Sequence, residues 1–257
     1  MTARLPRLLA LGVRNQFLEW SGAWWFTVTL VVNHAIGPLI GLVVWSAVLP
    51  GNQTAVNYFV ALVGVHLLTA SFENYTFSES VYDGSVSHDL LKPQPVILGP
   101  AGQNIAIRLW LAVFGLPLTV VTALVAGASY RWQAVLLAIP ALLCAAVLRF
   151  LWTWLLALTA FWTERVHAIV AFGNILIFLL GGIAAPIAEL PDPWRSIAMA
   201  LPFYGMLGLP AEIATGTLHS STLGATLLLQ IGWGTAFAIT AAIAWRFGVR
   251  RYTVVGA

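Results

Sequence analysis

Charge is what this chain has least of. Only 8% of its 257 residues are Asp, Glu, Lys or Arg, against roughly 25% in an ordinary soluble domain. With 60% hydrophobic residues, polar side chains are too few to cover a soluble globule, and lipid is the solvent that tolerates the remainder. Cysteine is nearly absent. The single Cys144 lies inside an apolar run, which excludes an intrachain disulfide and a cysteine-rich metal site and reads as a buried small hydrophobe. Lysine is nearly absent too: Lys92 is the only one, and it precedes a proline. No Gly-x-x-x-x-Gly-Lys-Ser/Thr run exists, so the chain has no phosphate-cradling loop of that kind. Neither His-Glu-x-x-His nor Gly-x-Ser-x-Gly occurs. His34, His66, His88, His167 and His219 lack metal-ligand spacing, and His34 and His66 read as paired core histidines from two neighbouring apolar runs. These absences predict no catalytic residue, no metal and no cofactor bound by this chain.

What is present is a succession of apolar runs. Residues 3–20 place Leu5, Leu8, Leu9, Val13, Phe17 and Trp20 on one helical side and Arg4, Arg7, Arg14 and Asn15 on the other. That pattern predicts an interfacial amphipathic helix lying among the headgroups. No small-residue cleavage site follows the first arginines, which argues against a cleaved signal peptide. Six membrane spans are expected, over about 23–49, 57–71, 105–128, 132–162, 168–188 and 222–245. The second is short. The fourth exceeds the roughly 20 residues needed to cross and must tilt, kink or project. Gly37 and Gly41 in the first span form a small-xxx-small pair, a candidate helix–helix interface. Residues 189–221 hold four prolines among apolar residues and read as short re-entrant helices.

The basic residues set an orientation. With the N-terminus inside, inner segments hold nine of the Lys and Arg residues and outer segments two, Arg131 and Arg195. The positive-inside rule then puts both termini and the 73–104 loop in the cytoplasm and 189–221 outside. The net charge of +3 is explained by this topology rather than by nucleic-acid binding. Arg149 is the ionisable residue deep in a predicted span. Such a charge costs about 2.5–3.5 kcal/mol on insertion scales and faces a bundle interior or cavity. It reads either as a residue of a substrate path or conformational switch, a role for which His34 is a second candidate, or as a buried structural group reaching toward the interface. Trp152, Trp154 and Phe150 could line a path for lipid-like cargo or face lipid themselves.

The loop between spans two and three reads Glu79-Ser-Val-Tyr-Asp-Gly-Ser-Val-Ser-His-Asp-Leu-Leu-Lys-Pro93, polar with a short helix expected near residues 78–91. An acidic residue, a Gly, a short helical stretch and Leu-Leu-basic-Pro resemble the first cytoplasmic loop of ABC-2 type permeases, in their small six-span branch. Phe161-Trp-Thr-Glu-Arg165 resembles that family's polar turn after span four. Glu189-Leu-Pro-x-Pro-Trp194, Leu201-Pro-Phe203, Leu209-Pro210 and Gly216 resemble its external segment, and Arg250-Arg-Tyr252 with Gly256-Ala257 its tail.

The resemblance implies one all-α transmembrane domain over 1–257, working as the permease of an ABC exporter in the cell membrane, a bacterial plasma membrane. It implies a second permease copy or a homologous one, and two cytoplasmic ATPase subunits that bind ATP and Mg in the permease's place. Glu79, Tyr82, Asp83, Gly84, His88, Asp89, Leu90, Leu91, Lys92 and Pro93 would form the coupling helix that the ATPases push. The family often has an Asp soon after the loop Gly; here Ser85 and Ser87 come first, then His88-Asp89. Two rival classes stay open: a secondary transporter driven by an ion gradient, and an intramembrane enzyme built on Glu164, Arg165 and His167.

Overall fold

The computed structural model describes residues 4–218 and 220–252, and among these every regular element is helical. His219 and Gly256-Ala257 lie outside the described residues. Twelve helices follow in order: α1 (Arg4–Ser21), α2 (Trp24–Val48), α3 (Gln53–Leu68), α4 (Glu73–Tyr82), α5 (Val86–Leu90), α6 (Leu98–Ala126), α7 (Trp132–Leu158), α8 (Val166–Leu180), α9 (Trp194–Ala200), α10 (Pro202–Met206), α11 (Gly208–Thr215) and α12 (Ser220–Arg251). Five stretches among the described residues are long and apolar enough to cross a membrane: Trp24–Val48, Gln53–Tyr82, Leu98–Ala126, Trp132–Phe161 and Ser221–Arg251.

The helices form because long apolar runs in lipid must satisfy their backbone internally. Pro38, Pro117 and Pro140 are accommodated inside α2, α6 and α7. The ends carry local signals. Asn52 caps α3 by accepting the Ala55 N–H at 3.1 Å, the usual role of Asn at that position. Gly127, left-handed at φ 66°, turns the chain out of α6 while the Ala128 N–H returns to the Ala123 carbonyl at 2.8 Å.

The structure departs from the expected spans in three places. The second run does not stop near residue 71. After a break over 69–72 it resumes as α4, so Gln53–Tyr82 forms one 30-residue stretch. Residues 98–104, expected in a loop, open α6. The apolar run over 168–188 gives only the 15-residue α8, about 22 Å of helix against a hydrocarbon core of roughly 30 Å. Gly181-Gly182 ends it, and Gly182 sits at φ 95° with the Tyr58 hydroxyl where a Cβ would stand.

α3 is the axis of the bundle. In Gln53–Tyr82, 67% of the apolar stretch is buried, against 28% or less in any other long helix. Phe59, Leu62, Leu148, Met206 and Leu207 meet in one core cluster that joins α3 and α7 to α10 and its end. The short helices α10 and α11 are buried almost throughout, and Gln230 of α12 ties them in by donating to the carbonyls of Gly205 and Ala141 at 2.8 and 2.9 Å. α1 packs along α6: Phe17 stacks on Trp110 at 4.5 Å, while Leu5, Leu8, Leu11 and Leu18 remain exposed.

The Gly37/Gly41 pair works inside the chain. A Cβ on Gly41 would overlap the Phe59 ring of α3, whereas one on Gly37 would meet Ile183 at an ordinary 3.4 Å. Overpacking of this kind costs about 1–3 kcal/mol. Gly41→Ala should therefore lower the melting temperature in detergent by several degrees and Gly37→Ala by much less; equal shifts would refute this packing.

Candidate functional site

The break between α3 and α4 exposes a problem that the rest of the site solves. A helix ending inside an apolar bundle leaves its last carbonyls without N–H partners, and here two arginines supply donors. Arg108 of α6 donates from Nε to the Ala70 carbonyl at 2.9 Å. Its Nη2 reaches the Thr69 carbonyl at 3.2 Å, the Ser71 hydroxyl at 2.7 Å and the Ala146 carbonyl of α7 at 2.8 Å. Arg149 of α7 donates from Nη1 to the His66 carbonyl at 3.3 Å and to Thr69 Oγ1 at 3.0 Å. Asn104 adds a 3.1 Å bond to Ser71 Oγ. Guanidinium groups at a helix C-terminus also offset the negative end of its dipole.

The histidines enter the same network. His66 Nδ1 lies 2.8 Å from the His34 carbonyl, and His34 Nδ1 2.9 Å from the Leu30 carbonyl. A carbonyl only accepts, so both Nδ1 atoms carry the proton. The lone pair of His66 Nε2 then accepts from Arg149 Nη2 at 3.0 Å. The two rings stand 5.4 Å apart, and Phe72 packs edge-on against His34 at 5.0 Å.

On the other side of the break, Glu73 opens α4. It is 3% exposed, although its place in a charged stretch reads as solvent-facing loop. The continuation of α3 into α4 carries it into the bundle, where its carboxylate accepts from Thr153 Oγ1 at 2.8 Å. An acidic residue in a first helical turn suits the positive dipole end. Half-buried Arg108 and buried Arg149 are thus two cations near one buried acid, and no salt bridge joins them among the described residues.

Beside this network lies a cavity of about 450 Å³. Asn33, His34, His66, Asn74, Arg149 and Asn174 supply much of its polar lining, and Arg149 is the one charged residue among the described residues that line it. Leu30, Phe72, Ile177, Phe178 and Ile183 form apolar walls. Phe150, Trp152 and Trp154 do not open onto it: Trp152 packs on Phe203 and Phe237, and Trp154 on Phe77.

The polar loop forms a second, exposed region. α4 runs to Tyr82, Gly84 turns the chain at φ 81°, and α5 is a five-residue helix. Asp83 accepts the Ser85 N–H at 2.8 Å. The Ser85 hydroxyl and N–H hold its carboxyl below the usual carboxylate range, so it is ionised at neutral pH. Asp89 and Lys92 pair at 2.6 Å on the surface. Glu79, His88, Lys92 and Pro93 are exposed, Leu90 is half-buried, and Leu91 is 84% exposed. The corner is anchored from below. Val86 is fully buried in a cluster with Phe77, Val81, Trp154 and Val166, and the Tyr82 hydroxyl donates to the Thr163 carbonyl at 3.0 Å. Glu164, Arg165 and His167 contribute no convergent catalytic arrangement among the described hydrogen bonds, and no group of three or more metal-ligating side chains is found among the described residues.

Arg149 and His34, singled out from the sequence, therefore lie together at the cavity, while Glu79 to Pro93 form a separate exposed corner. His66 joins His34 in the interior as the sequence suggested, while Arg108, Glu73, Asn104 and Thr153 complete the network and were not expected in it. The available signal was Arg108, an ionisable residue beside an apolar run that topology alone seemed to explain.

Against known proteins, the sequence model of the ABC-2 family transporter proteins matches residues 39–256. No curated protein matches the chain.

Replacing Arg108 with Leu should orphan the carbonyl of Thr69 and leave that of Ala70 to a long 3.5 Å bond from Asn104, at roughly 1–3 kcal/mol for a buried group left unpaired. Thermal unfolding in detergent should show a clear loss for Arg108→Leu and little for Arg131→Leu, whose side chain is exposed. Equal loss in both would refute the capping role.

Proposed function

The chain belongs to the ABC-2 family of transporter membrane proteins, and from that membership we propose that it is the permease of an ABC exporter powered by separate cytoplasmic ATPase subunits. The observation that carries the proposal is the exposed corner over 79–93, in a chain matched over most of its length by a transporter family. An exposed leucine among charged residues, on a short helix anchored by a buried valine, suits docking against a soluble protein. In this reading two ATPase subunits bind ATP and Mg, a second permease copy or a homologue completes the pore, and substrate moves outward. Both termini and the 79–93 corner face the cytoplasm of a bacterial cell, and α9 to α11 lie toward the outside. α8, together with the non-α-helical segment 181–190 that follows it, makes the sixth crossing in this reading.

α4 supplies a mechanical route. It runs from the corner to Glu73 at the edge of the arginine network, and Phe77 packs on Trp154 of α7 at 4.5 Å. A push on the corner is carried by a rigid helix to the residues around Arg149 and His34, which we assign to the substrate path. The broken α3–α4 helix is also a feature of ion-driven secondary transporters, which makes that class the second reading. Flux that follows a proton or sodium gradient without ATP would favour it.

The test is reconstitution with the ATPase that co-purifies with the chain. Leu91→Asp and Asp83→Arg should reduce transport-coupled ATP hydrolysis at least several-fold while leaving membrane insertion and melting temperature unchanged. Full coupling in both variants, or the absence of any ATPase in the purified complex, would overturn the proposal.

A further inference from the structure

The cavity beside Arg149 has a charge that the chain does not balance. Around the break stand two guanidiniums, half-buried Arg108 and buried Arg149, with one carboxylate, Glu73, which Thr153 engages; the other buried acid among the described residues, Glu212, sits on α11 and accepts from the Tyr204 hydroxyl at 2.6 Å. The carbonyl end of α3 offsets roughly half a charge. A positive surplus remains in a medium of low dielectric, where it acts over longer range than in water.

The surplus is directed at the cavity. Arg149 lines it, is 6% exposed, and its Nε is buried without a hydrogen-bond partner. The first turn of α4, the positive end of a ten-residue helix, contributes Asn74 and Tyr75 to the same lining. Asn174 Nδ2 donates to the Tyr75 hydroxyl at 3.3 Å, which places two further polar groups at the rim. Among the described residues that line the cavity, none is acidic. Broken helices in membranes present such N-terminal ends to anionic groups. The facing walls, Phe72, Ile177 and Phe178, are apolar.

We propose that this cavity binds an amphipathic anion, with a carboxylate or phosphate head at Arg149 and the first turn of α4 and a hydrocarbon part along Phe72 and Phe178. The assignment rests on the permease reading for its meaning as a substrate class, but the binding itself requires no ATPase. Two sources share this chemistry, a retained phospholipid and a free amphiphile.

The experiment uses the full chain in neutral detergent with three probes of one tail: fluorescently labelled dodecanoate, the matching alcohol and the matching trimethylammonium. Dodecanoate should bind at least ten-fold tighter than either of the others. Arg149→Gln should weaken dodecanoate at least five-fold and leave the alcohol unchanged. Asn174→Asp, at an exposed position, puts a negative charge at the rim and should also reduce the preference, which keeps the test alive if the arginine variant does not fold. Native mass spectrometry then separates the sources: loss of a phospholipid adduct as dodecanoate binds marks a retained lipid, and binding without such loss marks a free amphiphile. Equal affinities for the three probes, or an unchanged preference in the folded variants, would overturn the assignment. Failure here with intact coupling at Leu91 and Asp83 would leave the permease standing; the reverse outcome would leave an anion site in a protein of another class.

Discussion

The arrangement depends on a helix that ends inside the bundle. An unbroken helix over 53–82 would bond its own carbonyls and ask nothing of its neighbours. The break over 69–72 leaves the end of α3 with unpaired oxygens among apolar side chains, and each would cost several kcal/mol in lipid. Arg108 and Arg149 satisfy them from two different helices. Once those arginines are required, their own charges need shelter. Glu73, the neutral His66 lone pair and the polar wall of the cavity follow from that need.

The same constraint ties distant parts of the chain together. Arg108 bonds α6 to the end of α3 and to α7 at once, and Arg149 bonds α7 to α3. α4 leaves the break with its own partners, Thr153 at its start and Trp154 along its side. The exposed corner over 83–93 thus hangs from an element whose other end sits among the buried charges. In an interior packed this closely, neighbouring groups respond to displacement by switching partners rather than by bending. The hydrogen bonds at the break, being local and polar, are the natural place for such a switch.

Much of this was legible in the sequence where the cause is local. Long apolar runs gave α2, α6, α7 and α12 because lipid leaves the backbone little choice. Arg149 stood out because a charge in such a run needs a reason. What was not legible arises from contacts between distant residues. Glu73 and Asn74 read as loop residues beside Glu79 and Asp83, and only Arg108, Arg149 and Thr153, remote in sequence, make their burial tolerable. Arg108 looked like a topological charge at the start of a span. It lies roughly 15 Å along α6 because that helix already begins at Leu98. The apolar run after residue 168 hid the stop at Gly181-Gly182, whose close approach to Tyr58 and Leu207 no hydropathy pattern records.

Burial without charge balance is the step that separates this site from ordinary packing. A buried pair of opposite charges roughly breaks even against apolar residues of the same shape, so a fold could discard it at little loss. A surplus cation cannot be accounted for in that way. The capping of α3 explains keeping one guanidinium, yet amide or hydroxyl donors can also cap carbonyls without carrying a charge, as Asn104 does at Ala70. Two arginines where neutral donors would serve, with one of them lining a cavity that has no acid among its described residues, favour a role for the charge itself. The site is better understood as half of an ion pair whose other half arrives from outside the chain.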